Sequence, residues 1–311
     1  MKIFVTGGTG FIGSNLCKKL INDGHYVICL DNNYTGKTEN VKELFLSDRF
    51  EFIEMDVLNI KSNILNGIDL IYNLACPASP PAYQGKHAIE TTKTCVIGAL
   101  RVLEMAKYNK CRIIQTSTSE VYGEPLQHPQ TEEYRGNVNP IGIRACYDEG
   151  KRCAESLFFD YYRHEGVNIG VVRIFNTYGP NMDKNDGRVV SNFINQALNG
   201  QDITIYGNGE QTRSFCFVSD TVEALVRFGF VNETGPLNIG NPSEFTMKEL
   251  ADMVIEKTNS KSHIVYMPLP KDDPTRRKPD ITKAKNMLHW EPKVSLSEGL
   301  DKTIEYFKEK L

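Results

Sequence analysis

The sequence predicts an α/β fold in which a doubly wound parallel sheet carries a smaller C-terminal α/β lobe. Three observations predict it: a short β-branched strand that leads directly into a glycine-rich turn, alternation of strands with helices along most of the chain, and a length of 311 residues, enough to bury a large core. Strands are expected at residues 2–6, 26–30, 50–53, 70–74, 112–115, 169–174 and 235–239. Helices are expected at residues 14–22, 87–107, 147–164, 219–231, 246–257 and 297–310.

The first strand and the turn after it are typical of a dinucleotide site. Glycines at positions 7, 10 and 13 allow a tight turn and let backbone N–H groups approach a pyrophosphate at the start of the first helix. The second strand leads to Asp31, whose carboxylate can accept hydrogen bonds from a ribose diol and would repel a 2′-phosphate. This order of elements predicts a Rossmann-type domain that binds NAD in preference to NADP. The alternative is a glycine-rich turn without a ligand.

A hydroxyl, a carboxylate, a phenol and an ammonium are expected to meet at the end of the fifth strand. Ser117–Gly123 follows the fifth expected strand, at 112–115. Ligands bind at the carboxyl edge of open parallel sheets. Tyr147 and Lys151 are four residues apart, so they share one face of the helix that starts there. An ammonium beside a phenol favours the phenolate, which makes Tyr147 a candidate base. A Tyr-x-x-x-Lys match alone is weak evidence, because Tyr306 and Lys310 repeat it in the charged C-terminal helix.

Composition narrows the class of protein. A net charge of −3 gives no global bias towards nucleic acid or an anionic membrane. The eight cysteines are scattered, with no CxxC pair or Cys/His cluster, so we expect buried thiols in a reducing compartment and no metal site. The chain opens on its first strand without a signal peptide, and no apolar run has membrane-spanning length. These features favour a cytoplasmic protein without nucleic-acid or membrane partners.

A proline-rich segment, Pro268–Pro279, is expected to form a structured loop in the smaller lobe. It carries Asp272, Asp273, Arg276 and Arg277. Two interpretations stay open: these charges are solvated, or one arginine clamps the phosphates of a bound nucleotide diphosphate.

Taken together, the motifs resemble those of the extended short-chain dehydrogenase/reductase family, whose members act on nucleotide sugars. The finer resemblance is to its branch of UDP-glucuronic acid decarboxylases (UDP-xylose synthases), and it extends over essentially the whole chain. The segments that carry it are residues 6–13, 75–81, 116–123, 139–152, 173–180, 185–193 and 277–281. The resemblance implies an NAD-binding Rossmann domain formed by residues 1–175 plus about 215–240, and a nucleotide-sugar-binding lobe formed by about 176–214 plus 241–311.

The resemblance assigns the candidate site residues to three groups. The catalytic group is Thr118, Ser119, Glu120, Tyr147, Lys151 and Arg213. The cofactor-binding group is Gly7, Gly10, Phe11, Ile12, Gly13, Asp31, Asn32, Tyr34, Thr35, Gly36, Asp56, Val57, Leu74, Ala75, Lys93, Tyr147, Lys151 and Thr177. The substrate-binding group is Tyr83, Asn176, Arg188, Tyr206, Gln211, Arg213 and Arg277, although core packing explains Tyr206 equally well and a surface position is the alternative for Arg188.

The implied reaction has no net redox change. Tyr147, as phenolate, removes the proton of the sugar 4-hydroxyl with help from Thr118, while Lys151 holds the nicotinamide ribose and keeps Tyr147 ionised. Oxidation at C4 by tightly held NAD leaves the C5 carboxylate β to a ketone, so carbon dioxide can leave before C4 is reduced again. Glu120 would position the substrate carboxylate through a water or a shared proton. Arg213 would stabilise the enolate or help to protonate C5.

Other reactions stay open at this stage. Related dehydratases carry Asp-Glu where this chain has Ser119-Glu120, and 4-epimerases usually carry neither acid, which favours decarboxylation over both. The substrate could also be a related UDP-uronic acid, and the 4-keto pentose could be released before it is reduced again. A non-catalytic NAD-binding regulator would be expected to have lost Thr118, Tyr147 or Lys151, and the chain keeps all three.

The chain departs from the family pattern in the helix expected at 87–107. Two asparagines of the family are replaced by Cys95 and Arg101, and the loop at 83–86 also differs. Because the second asparagine normally faces the sugar nucleotide, Arg101 could bond a ligand phosphate or carboxylate. Alternatively, it lies on the helix surface and pairs with a carboxylate such as Glu104.

The resemblance also implies a homodimer. Relatives pair the helices that correspond to 87–107 and 147–164 into a four-helix interface. The second helix carries more apolar and aromatic side chains than a single buried stripe needs, namely Leu157, Phe158, Phe159, Tyr161 and Tyr162.

Overall fold

Strands and helices alternate along the chain in a computed structural model that describes residues 1–268 and 276–310. The strands in this part of the chain are β1 (Lys2–Thr6), β2 (Tyr26–Asp31), β3 (Phe50–Glu54), β4 (Leu70–Asn73), β5 (Arg112–Thr118), β6 (Ile169–Ile174), β7 (Thr177–Tyr178), β8 (Ile203–Tyr206), β9 (Thr212–Ser214), β10 (Cys216–Phe217), β11 (Leu237–Ile239), β12 (Glu244–Thr246), β13 (Ile264–Met267) and β14 (Arg276–Arg277). The α-helices are α1 (Phe11–Asn22), α2 (Pro80–Tyr83), α3 (Ala88–Lys93), α4 (Ala99–Asn109), α5 (Ala145–Glu165), α6 (Val189–Leu198), α7 (Val218–Gly229), α8 (Met247–Thr258), α9 (Thr282–Leu288) and α10 (Leu296–Lys308).

Seven of the strands form one parallel sheet in the order β11-β6-β5-β4-β1-β2-β3. Helices α1 and α7 pack together against one face, and α4 and α5 cover the other. All of β5 is buried, as expected for a parallel strand between two helical layers. Thr6 pairs with Leu30 and Asn73, so the carboxyl ends of β1, β2 and β4 meet at one edge. Thr118, the last residue of β5, lies at the same edge.

The smaller lobe is built from short strands and the later helices. Strand β8 pairs with β13, and β9 pairs with β12 on one side and β14 on the other. Helices α6, α8 and α10 pack on one another. A single hydrophobic cluster extends from Leu16 in α1 to Phe307 in α10, so the lobe shares its core with one face of the large sheet. The division into two domains at about 176, 215 and 241 stays a prediction.

The expected elements of the large sheet are confirmed, with small shifts at their ends. The expected helix at 87–107 consists of α3, a π-helical turn at Thr94–Gly98 and α4. Helices α2, α6 and α9 and the strands of the smaller lobe were not expected. These strands have only two to four residues, which is too short to show periodicity. No helix in the two described ranges is both long and apolar enough to cross a bilayer.

The proline-rich segment is only partly described. Residues 269–275, which include Asp272 and Asp273, lie outside the described residues. Arg276 and Arg277 form β14 and extend β9. Arg277 is 1% exposed, so the interpretation of its charge as solvated is wrong.

Candidate active site

A cavity of about 1140 Å³ opens at the carboxyl edge of the large sheet and reaches the smaller lobe. Ligands of open α/β sheets bind at this edge. Pockets for one drug-sized ligand measure about 300–1,000 Å³, so the cavity has room for more than one such group. Every predicted site residue except Lys93 lines it.

The turn after β1 fits a pyrophosphate. Gly7 has a φ of +71°, and a Cβ there would lie 2.7 Å from the backbone nitrogen of Ala75. A Cβ on Gly13 would lie 2.1 Å from the carbonyl oxygen of Gly7. Gly10 is the N-cap of α1 and provides no side-chain cap, so the first N–H groups of the helix remain available for an anion. Only glycine fits at positions 7 and 13, as the sequence pattern predicts.

Two acids lie where the adenosine half of a dinucleotide would follow the pyrophosphate. The carboxylate of Asp31 accepts the N–H groups of Thr9 at 3.1 Å and Asn33 at 2.9 Å. A carboxylate has about four lone-pair sites, so Asp31 can still accept ribose hydroxyls. Asp56 accepts a hydrogen bond from the Asn32 amide at 2.9 Å, which fixes the loop beside it. This arrangement fits the adenosine of NAD.

Thr118, Tyr147 and Lys151 come together on the cavity wall. Thr118 ends β5, and its hydroxyl oxygen accepts the N–H group two residues further on at 3.2 Å. The Tyr147 ring stacks on Tyr83, with ring centroids 4.8 Å apart and planes inclined by 6°. The ammonium of Lys151 donates to the carbonyl oxygen of Thr116 at 2.8 Å and lies 5.9 Å from the centre of the Tyr147 ring. The hydroxyl, phenol and ammonium that the sequence singles out therefore share one wall.

The ionisation of Tyr147 differs from the expectation. Burial raises the pKa of Tyr147 well above its usual range and the charge of Cys76 adds to this, while a hydrogen bond with Thr118 opposes it. Lys151 directs its ammonium at the Thr116 carbonyl. Tyr147 is therefore a neutral phenol at pH 7 in this structure. The expectation that Lys151 keeps it ionised is therefore wrong for the described residues by themselves.

Glu120 is held between two arginines. One carboxylate oxygen accepts a hydrogen bond from Arg277 at 3.1 Å, and the other pairs with Arg144. The side chains of these arginines are 2% and 9% exposed, so water screens the pairs little. Burial by itself raises the pKa of Glu120, but the charges of Arg277 and Arg144 outweigh it and lower the pKa to about 2. Glu120 is therefore ionised at pH 7, which argues against the expected shared proton.

Arg277 is bound to the Ser119-Glu120 pair. One of its terminal nitrogens donates to the Ser119 hydroxyl at 3.0 Å, and the other donates to a backbone carbonyl at 3.1 Å. Arg213 lines the same cavity and donates to the Thr212 carbonyl at 3.0 Å. The family resemblance implies that Arg277 and Arg213 bind the substrate and that Arg213 also acts at C5. The contacts favour Arg277 for the place beside Glu120.

Arg144 was missed by the sequence analysis. It lines the cavity, pairs with Glu120, and lies over Tyr83 with its guanidinium carbon 5.7 Å from the ring centroid. Its carbonyl oxygen accepts a hydrogen bond from the backbone N–H of Tyr147, in the first turn of α5. Its position in the sequence could have identified it, because a residue three before Tyr147 lies about one helical turn away from that side chain.

The opposite wall of the cavity comes largely from the smaller lobe. Arg188 precedes α6 and makes two hydrogen bonds to Asp186, at 2.6 Å and 3.0 Å. The amide of Gln211 donates to the Tyr206 carbonyl, and its buried oxygen has no hydrogen-bond partner among the described residues. Tyr206 is 46% exposed, so it does not pack in the core, and Asn176 lines the cavity just after β6. An arginine with amide groups suits an anionic, polar ligand such as a sugar nucleotide.

Two residues of the helical region at 87–107, Arg101 and Lys93, lie away from this site. Arg101 is exposed and donates to the Leu58 carbonyl at 3.3 Å, and it does not line the cavity. Glu104 instead accepts a hydrogen bond from Tyr161. The structure favours the surface interpretation of Arg101, without the Glu104 pair. Lys93 is also exposed and outside the cavity wall, so its role towards cofactor or substrate stays a prediction.

Comparison of the chain with known proteins agrees with this geometry. A family model described as GDP-mannose 4,6 dehydratase matches residues 4–303. The chain is similar to UDP-glucuronic acid decarboxylase 6 of Arabidopsis thaliana, with 55% identity over 312 residues that cover 100% of this chain and 90% of the relative. It is also similar to UDP-glucuronic acid decarboxylase 1 of Danio rerio, with 51% identity over 310 residues that cover 100% of this chain and 73% of the relative.

Solved structures show the same architecture. The UDP-glucuronic acid 4-epimerase of Bacillus cereus, in complex with UDP-glucuronic acid and NAD, is 30% identical with a TM-score of 0.91 over 100% of both chains. The UDP-glucose 4-epimerase of Thermotoga maritima, with UDP-glucose, is 33% identical with a TM-score of 0.91 over 100% of this chain and 99% of that one. The chain therefore belongs to the family that the GDP-mannose 4,6 dehydratase model describes, the extended short-chain dehydrogenases/reductases, and within it to the UDP-glucuronic acid decarboxylases.

Proposed function

We propose that the protein converts UDP-glucuronate to UDP-xylose and carbon dioxide, with NAD held throughout and no net redox change. The observation that carries the proposal is the Ser119-Glu120 pair, bound by Arg277 and Arg144, beside Tyr147 in one cavity. That arrangement occurs in a chain that is 51% to 55% identical to several UDP-glucuronic acid decarboxylases. Thr118, Tyr147 and Lys151 have the roles in this proposal that the family resemblance implies.

The residues that line the sheet side of the cavity fit NAD. The glycine turn would hold the pyrophosphate, Asp31 the adenosine ribose, and Lys151 the nicotinamide ribose. When bound, NAD supplies an acceptor for hydride from C4 of the sugar and a positive charge that favours the phenolate of Tyr147. Tyr147 would then take the 4-hydroxyl proton, with Thr118 oriented beside it at the end of β5.

The cluster around Glu120 suits the loss of carbon dioxide. Two arginines face one carboxylate, so Arg144, Arg277 and Glu120 together carry one net positive charge. This charge can attract the carboxylate of the substrate and stabilise the enolate oxygen that forms when carbon dioxide leaves. Because Glu120 occupies both guanidinium groups, neither is free to bind the substrate carboxylate so tightly that its departure is opposed. Glu120 therefore acts in this proposal as a fixed negative charge and not as a proton donor.

The test is the fate of carboxyl-labelled UDP-glucuronate. We expect trapped labelled carbon dioxide and UDP-xylose in equal amounts, without added NADH. Release of the 4-keto pentose would leave reduced cofactor on the enzyme and would change the product assignment. Conversion to UDP-galacturonate with all label retained would refute decarboxylation and identify a 4-epimerase, while no turnover with bound NAD would identify a non-catalytic binder.

We also propose a homodimer in the cytoplasm. Large apolar side chains are exposed on the helical layer formed by α3, α4 and α5, including Ile89 at 67%, Ile97 at 40%, Tyr108 at 51% and Tyr162 at 49%. Burying such a face in a two-fold pair is the commonest solution for soluble oligomers. All eight cysteines are free thiols, which accords with a reducing compartment.

A further inference from the structure

Two cysteines meet at the wall of the cofactor cavity. Cys76 lies three residues after β4 and lines the cavity, while Cys95 lies in the π-helical turn at Thr94–Gly98. Their sulfur atoms are 3.2 Å apart. Cys76 is partly exposed and Cys95 is 3% exposed. The expectation of buried thiols therefore holds for Cys95 but not for Cys76.

The surroundings make the two thiols chemically different. Burial alone would raise the pKa of Cys76, but a hydrogen bond with Cys95 and the ammonium of Lys151 together lower it. The same hydrogen bond, followed by burial, raises the pKa of Cys95. These opposite directions favour Cys95 as the thiol that keeps its proton and Cys76 as the sulfur with more thiolate character.

We propose that Cys76 and Cys95 form an oxidative modification site that takes hydroperoxides. The Cys76 sulfur attacks one peroxide oxygen, the O–O bond breaks, and an alcohol or water leaves after it takes up a proton. This leaves Cys76 as a sulfenic acid. The Cys95 sulfur then attacks the Cys76 sulfur, the S–O bond breaks, and water leaves with the proton of Cys95. The two thiols lose two electrons, which the peroxide gains, and a disulfide joins the residues.

The geometry favours the second step over further oxidation. A disulfide needs a sulfur–sulfur distance of about 2.05 Å, so the two atoms must approach by only about 1.2 Å. A thiol already in contact reacts as an intramolecular partner, whereas a second peroxide must arrive from solution. The sequence resemblance gives asparagine at position 95, so the resolving thiol is a feature of this chain.

Oxidation at this place would act on the catalytic helix. A Cβ on Gly150 would lie 2.9 Å from the Cβ of Cys95, so α5 packs directly on this cysteine, next to Lys151. The disulfide would remove the thiolate charge beside Lys151 and tie the cavity wall at Cys76 to the π-helical turn. If NAD binds as proposed, it covers Cys76. At ten times its Kd, about one protein in eleven is free, so NAD should slow the cross-linking about tenfold. Only this protection rests on the proposed function.

The experiment treats reduced protein, freed of nucleotide, with an equimolar amount of hydrogen peroxide and maps the products by peptide mass spectrometry. We expect a Cys76–Cys95 cross-link that dithiothreitol reverses. Cys95→Ala should instead accumulate the sulfenic or sulfinic acid at Cys76, and Cys76→Ala should leave Cys95 reduced. Cys153→Ala is the matched control, because Cys153 is exposed on α5 and should not affect the cross-link. If Cys95→Ala fails to fold by circular dichroism, Cys95→Ser replaces it.

Oxidation of Cys153 or Cys146 while Cys76 and Cys95 stay reduced would overturn the proposal. So would a cross-link that persists in Cys95→Ala. Decarboxylation is assayed in the same samples before oxidation, after NAD has been added back, so an active enzyme without the cross-link refutes only this inference. A protein that cross-links at equal rates with and without NAD, and releases no carbon dioxide, refutes only the proposed function.

Discussion

Replacing Glu120 by glutamine should destabilise the protein by about 3 kcal/mol at pH 7. The change keeps the size of the side chain and removes the charge that both buried arginines face. The pKa of Glu120 is lowered from 4.5 to about 2, and each unit corresponds to about 1.4 kcal/mol, so the ionised carboxylate contributes about 3 kcal/mol to the free energy of unfolding. Its side chain is only 17% exposed, so solvent screening reduces this little. Removing one partner of a buried ion pair typically lowers the free energy of unfolding by about 3–5 kcal/mol, which is a similar amount.

The lowered pKa sets the pH window of this effect. A carboxyl whose pKa is lower in the folded protein than in the unfolded chain stabilises the fold fully above its unfolded pKa, and the contribution is lost as the pH falls towards the folded pKa. The difference in unfolding free energy between the natural protein and Glu120→Gln should therefore fall by about half between pH 7 and about pH 3. Urea unfolding at both pH values measures it. Glu43→Gln is the control, since Glu43 pairs with Lys18 on the surface and should change stability by less than about 1 kcal/mol.

The same variant tests the chemistry. Without the internal carboxylate, Arg277 loses one of its charged partners and can pair with the substrate carboxylate, so UDP-glucuronate should bind at least as tightly. Carbon dioxide release should fall by about 100-fold or more, because the substrate carboxylate is then bound too tightly before it leaves, while NAD is still reduced in a single turnover. Stopped-flow absorbance and trapped carbon dioxide follow the two steps. Equal slowing of both steps, or a loss of stability below about 1 kcal/mol at pH 7, would refute the view of Glu120 as a fixed charge.

Three further predictions concern other parts of the molecule. Tyr147→Phe should retain NAD through gel filtration but lose turnover by about 100-fold or more, and near-normal turnover would remove Tyr147 as the base. Arg101→Asn should leave the calorimetric affinities for UDP-glucuronate and NAD unchanged, because Arg101 contacts the Leu58 carbonyl outside the cavity; a tenfold weaker substrate affinity would restore the ligand-binding interpretation. Sedimentation equilibrium at micromolar concentration should give the mass of two chains, and Tyr162→Asp should shift it towards one chain, since Tyr162 is exposed on α5; a single-chain mass for the natural protein would contradict the dimer.

The cofactor cradle could be predicted from the sequence because its residues act locally. Gly7 and Gly13 are required by a turn whose backbone leaves no space for a Cβ, and Asp31 follows from the position where β2 ends. These constraints are set within about thirty residues of chain, so strand, turn and helix periodicity suffices to find them. The same holds for Tyr147 and Lys151, which one helical turn brings together.

The charge state of the site could not be predicted in this way. Arg277 is 157 residues from Glu120 in the sequence, and their contact depends on how β14 packs beside β9. The pKa of Glu120 then depends on whether burial or two arginines dominate, which no local pattern encodes. The meeting of Cys76 and Cys95 likewise depends on the close packing of α5 on the π-helical turn.

The position of Arg277 in the chain bears on the order in which the protein becomes active during synthesis. The ribosome makes the strands of the large sheet, β11 included, before it reaches β14. N-terminal regions generally begin to fold first, so the glycine turn can form while Arg144, but not yet Arg277, is available to Glu120. The second arginine reaches Glu120 only after β14 has joined β9. A nascent chain can thus acquire its nucleotide site early and complete its decarboxylating site only late in translation, when β14 has been made.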